Sequence, residues 1–101
     1  MYKIKSGSIP LLEENGFKRL YDDYYVLRFP IYFYNKSPLI FCVASIDLSR
    51  GKRINIEVEK NGRPYSLWYE NNVAQAPDFL KELNTAIDKK LHKIGARKYA
   101  D

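Results

Sequence analysis

One cysteine, one histidine and one tryptophan are all that this chain of 101 residues carries of those types. The lone thiol, Cys42, excludes an internal disulfide and any cysteine-cluster metal site. The lone histidine, His92, leaves a single side chain able to act as a base near neutral pH. Long apolar runs are missing too: no stretch approaches the roughly 18 uninterrupted apolar residues of a membrane-spanning helix. The opening segment, MYKIKSGSIPLLEENG, has no apolar core long enough for a secretory signal, so the cytoplasm is the expected compartment. Internal repeats, low-complexity tracts and linker-like composition shifts are absent, as are G-x-G-x-x-G and Walker spacings.

What is present reads as an ordinary globular chain. Apolar residues at 46% can build a core, and charged residues at 29% fall short of a disordered composition. One α+β domain over residues 1–101 is the expectation, with a flexible tail possible at 96–101. A polar bridge from Glu70 to Pro77 is its weakest joint. Two quantities are unusual: a net charge of +5, and 15% aromatics of which nine are tyrosine.

The fold follows from periodicity and turn chemistry. Ser8 can cap a short helix over residues 9–15, with Pro10 early and Gly16 as its stop. From Phe17 onward the apolar period becomes two. Asn61-Gly62 is a type I′ hairpin signal, because both central positions need positive φ. It pairs Lys60 with Arg63, Val58 with Tyr65, Ile56 with Leu67 and Ile54 with Tyr69, and sends Trp68 to the opposite face. A three-residue loop, Ser49-Arg50-Gly51, pairs Ile46 with Ile54, Ala44 with Ile56 and Cys42 with Val58, whereas a two-residue loop would bury Asp47. A four-residue turn, Asn35-Lys36-Ser37-Pro38, pairs Tyr34 with Leu39, and Phe33, Ile31, Phe29 and Leu27 with Ile40, Cys42, Ala44 and Ile46. Pro30 cannot donate to a ladder and predicts a bulge or an unpaired side. A first strand near residues 17–21 has no fixed register. Leu80, Leu83, Ile87, Leu91 and Ile94 form one stripe of a helix between Pro77 and Gly95. The expected fold is therefore α+β: a short N-terminal helix, a five-stranded antiparallel meander, and a long C-terminal helix across one sheet face.

Catalytic constellations are poor. His92 lies on the outer side of the last helix, four residues after Asp88, and a local surface pair accounts for it. Cys42 falls on the inward face between Ile31 and Val58, as a small buried hydrophobe. The pairs Glu13-Glu14 and Asp22-Asp23 lack the ligand spacing of a metal site. The expectation is a non-enzyme with no cofactor, no metal and no membrane partner.

Two surfaces remain. Leu39, Phe41 and Val43 alternate outward beside Tyr32 and Tyr34, and Trp68 points the same way. The N-terminal segment either covers this second face or leaves part of it open to a protein partner or a second copy of the chain. The residues expected to carry such contacts are Phe41, Val43, Trp68, Tyr32 and Tyr34. The alternative is sequence-tolerant nucleic-acid binding by the loop cations Arg50, Lys52 and Arg53 with the helix-end cations Lys89, Lys93 and Arg97. A helix C-terminus favours some of that charge in any case.

The succession LLEENGFK, YYVLRFPIYFY, GKRINIEV, YSLWYENN and a closing Leu/Ile/Lys helix resembles small uncharacterised phage or prophage proteins of Gram-positive bacteria. The resemblance covers most of the chain as a pattern of elements. It implies an accessory or regulatory role and transfers no functional residues. The expected function is a small interaction module, binding a protein or itself through the aromatic sheet face, with nucleic acid as the alternative ligand.

Overall fold

The computed structural model describes residues 2–70 and 77–99, so residues 71–76 of the polar bridge between Glu70 and Pro77 lie outside the described residues. In chain order the elements are strand β1 (Tyr2–Ile4), a 3-10 turn (Ser6–Leu11), β2 (Lys18–Tyr21), β3 (Tyr24–Tyr34), β4 (Ser37–Asp47) and a second 3-10 turn (Leu48–Arg50). There follow β5 (Arg53–Lys60), β6 (Arg63–Pro64), helix α1 (Ser66–Glu70), helix α2 (Asp78–Lys93) and β7 (Ala96–Lys98). The strands form one seven-stranded sheet in the order β2-β3-β4-β5-β1-β7, with β6 pairing β5, and the pairings are antiparallel. The architecture is α+β with one main helix.

The centre of the sheet follows the turn chemistry. Asn61 and Gly62 have φ of 56° and 76°, as a type I′ turn requires, and Lys60 pairs with Arg63. Ile46, Ala44 and Cys42 pair with Ile54, Ile56 and Val58, around a loop in which Gly51 has φ 123°. All of these except the half-buried Ile56 are buried, together with Leu27, Phe29, Ile31 and Ile40, against the α2 stripe Leu80, Leu83, Ile87 and Leu91. Each fully buried Leu or Ile contributes about 1.5–3 kcal/mol relative to exposure, which makes this stripe the main fastening of α2.

The strand count and both ends of the chain depart from the expected meander. The predicted N-terminal helix is a 3-10 turn, with no side-chain cap from Ser8. Ahead of it, Tyr2–Ile4 forms β1 and inserts between β5 and β7. That insertion explains why no long strand follows Asn61-Gly62. Tyr2 and Lys3 of β1 occupy the edge of β5 at Ile54 and Arg53, where Tyr69 would have paired. The returning chain therefore leaves the sheet after Pro64. Tyr65 N–H still donates to Val58 C=O, then Trp68 N–H turns back to Tyr65 C=O as α1 begins. The Tyr69 hydroxyl accepts from Val58 N–H at 3.1 Å, so a side chain completes the edge that a strand was expected to cover.

The β3–β4 register also differs. The turn is Asn35-Lys36, both with positive φ (49° and 66°), and pairs Tyr34 with Ser37 rather than Leu39. Phe29 then faces Cys42 and Leu27 faces Ala44, two residues from the predicted alignment. Because the displacement is even, the inward face survives. Pro30 does mark an irregularity. The register shifts between Pro30 and Tyr32, and again before Phe33, which leaves Phe33 53% exposed instead of inward. At the C-terminus the predicted flexible tail begins with a paired strand, since Ala96, Arg97 and Lys98 lie opposite Ile4, Lys3 and Tyr2.

Candidate nucleic-acid interface

Side chains alternate across β5, β1 and β7, so the burial of Ile54, Ile4 and Ala96 beneath α2 fixes which neighbours point away. Lys3 lies opposite Arg53 on one side and Arg97 on the other. Three exposed cations from three adjacent strands thus form one row across the open face of the sheet. The sequence separated Arg53 and Arg97 into a loop cluster and a helix-end cluster, and did not single out Lys3. β1 unites them. The row continues into an aromatic ring, with Lys3 Nζ 4.5 Å from the centroid of Tyr99. Like charges directly opposite in a sheet cost stability, roughly 0.2–1 kcal/mol a pair.

The other predicted cations surround it unevenly. Arg50 extends from the loop before β5 with its side chain 87% exposed, and its Nε is 3.7 Å from Asp47 Oδ2. Lys52 Nζ donates to Ser6 Oγ, which ties that loop to the first 3-10 turn. Lys89 and Lys93 are exposed on α2. They sit on the helix side of the sheet, where Lys98 Nζ lies 3.9 Å from Asp88 Oδ1, within ion-pair range but too far for a hydrogen bond. Lys98, and not His92, is the ion-pair partner of Asp88 among the described residues; His92 is exposed.

The predicted aromatic patch does not assemble on one face. Trp68 is on α1 and packs against the core, with its ring edge-on to Tyr69 at 5.1 Å. Its indole N–H is sealed from solvent and has no conventional acceptor among the described residues, beside that neighbouring ring. Tyr32 turns inward past the bulge and meets Phe79 of α2 edge to face at 4.9 Å. Leu39 also packs against the core, and Tyr34 is 61% exposed beside the hairpin turn. Phe41 and Val43 do lie on the open face, half-buried. The Arg28 guanidinium sits 3.6 Å from the Phe41 ring centroid while its Nε bonds Glu59 Oε1 at 3.1 Å, so the ring is already covered by an ion pair.

Cys42 is fully buried between Phe29 and Val58, and burial pushes its thiol up to about 12. A cavity of about 690 Å³ opens between β5, α1 and α2, lined by Ile54, Ile56, Trp68, Tyr69, Asn84 and Ile87 among others. Neither Cys42 nor His92 lines it, so the two side chains the sequence offered for chemistry lie elsewhere. Among the described residues no group of three metal-ligating side chains occurs, and no helix is long and apolar enough to cross a membrane.

No family model, curated protein or solved structure matches this chain. The row of Arg53, Lys3 and Arg97 was legible only as charge excess. The alternation Tyr2-Lys3-Ile4-Lys5 was the one signal for β1, and it is too short to distinguish from chance.

Proposed function

We propose that this protein is a non-enzymatic nucleic-acid-binding module that grips the phosphate backbone, without reading sequence, at the basic end of its open sheet face. The in-register row of Arg53, Lys3 and Arg97 carries the reading. A polyanion laid over the row turns repulsion into attraction, and each neutralised phosphate releases condensed counterions. Arg50 and Lys52 extend the positive potential at the loop, with Lys89 and Lys93 on the helix side. The protein-binding or self-binding reading is the weaker one, because Trp68 and Tyr32 pack on the core side and Arg28 already covers Phe41.

Fluorescence anisotropy with labelled oligonucleotides tests the proposal. Three neutralised phosphates give a slope of log affinity on log salt of about −2 to −3, a loss of roughly twenty- to forty-fold between about 50 and 200 mM salt. Arg97→Thr should weaken binding and flatten that slope by about 0.7–0.9. The same change should raise folding stability by about 0.2–1 kcal/mol, because it removes one like-charge pair. A salt-independent affinity, or none at the lower salt, ends this reading. Light scattering on the same sample reports whether a second copy binds instead.

A further inference from the structure

We infer that the nucleic acid taken by this face is a single strand, laid across β5, β1 and β7 with one base stacked on Tyr99; the inference rests on the nucleic-acid reading above. Adjacent strands are about 4.8 Å apart, so the row from Arg53 to Arg97 spans about 10 Å at the backbone. That length can be followed by a few consecutive phosphates of one strand. A duplex would need more. Its second backbone stands about 12 Å away across the major groove. Measured along β5 from Arg53, that distance leads to the acid Glu57, about 13 Å on and on the same face. The long helix α2 lies on the opposite face of the sheet, away from the row.

Tyr99 supplies what an unpaired base needs. It lies just past the end of β7, and Nζ of Lys3, the middle cation of the row, lies over its ring. The Lys3 ammonium can rest on the ring or on a phosphate. When a phosphate draws it away, the ring face is uncovered beside the bound backbone, and any base can stack there. Within a duplex the bases are already stacked, and the ring gains nothing.

The test compares labelled oligothymidine with a mixed-sequence duplex of equal length, titrated with the full chain. Oligothymidine should bind at least about ten-fold more tightly. Tyr99→Leu should weaken its binding by about five-fold or more, with the salt slope and the duplex affinity unchanged. Tyr99→Phe should retain the wild-type affinity, because the ring is kept. Equal or tighter binding of the duplex overturns the inference and leaves the nucleic-acid reading standing, as does a Tyr99→Leu variant that binds oligothymidine normally. If neither oligonucleotide binds at low salt, the nucleic-acid reading fails, and this inference fails with it.

Discussion

Gly95 is the residue at which the two ends of the chain meet. It stops α2 with φ 91°, in the left-handed region that side chains rarely adopt. Its carbonyl accepts from Lys5 N–H at 3.0 Å, which holds the start of the first 3-10 turn against the turn into β7. A Cβ on Gly95 would collide with the Ser8 hydroxyl and stand 2.6 Å from Ser8 Cβ. Two costs follow for Gly95→Ala: roughly 1–2 kcal/mol for the backbone and roughly 1–3 kcal/mol for overpacking. Urea denaturation should therefore show a loss of about 2–5 kcal/mol. Ser8→Gly removes both clashing atoms, so the double variant should recover the packing part and keep the backbone part. Full additivity of the two changes would show that Ser8 and Gly95 are not in contact.

At the scale of elements, two hairpins show why part of the fold was legible and part was not. The β4–β5 register is legible because two independent constraints agree on it: the turn chemistry and the cost of burying Asp47. The β3–β4 turn offered a decoy. Ser37-Pro38 reads as turn composition, yet Asn35-Lys36 makes the turn, with Lys36 at φ 66° where glycine is preferred. A lysine there is strained by about 1 kcal/mol, so the sequence understated the turn it forms. Lys36→Gly should raise stability by about 0.5–1 kcal/mol at thermal or urea denaturation, with the Tyr34–Ser37 pairing unchanged. A loss of stability would place the backbone at Lys36 outside the left-handed region. The basic row was beyond reach for a different reason. It depends on β1 and β7, each three residues long, and their pairing is set by which edge of β5 remains unoccupied rather than by any local signal. Arg97 and Lys98 also lie on the edge strand β7, where cations discourage pairing with another chain. That role gives charge to an edge, but it does not align three cations across adjacent strands.

The molecule as a whole has one protected face and one open face, and Cys42 reports on the first. It lies on β4, which is flanked along its length by β3 and β5, with α2 over the same side. Alkylation requires the thiolate, and a thiol held near 12 by burial is almost wholly protonated at pH 8. Reagent can reach it only when the sheet parts. Labelling should accordingly be slow in water and should accelerate with urea along the slope measured for global unfolding by circular dichroism. The same burial carries a pH dependence. Because the folded thiol holds its proton more tightly than the unfolded thiol, with its ordinary value of 9.0, this stabilisation is complete below about pH 9. It is lost progressively as pH rises from about 9 towards about 12, where the folded thiol would ionise. Cys42→Ala removes that component, so wild type minus variant stability should decline over this window and be flat below it. Rapid labelling that is indifferent to urea would mean that β4 opens locally, and the protected face would then be no more closed than the face that carries the cations.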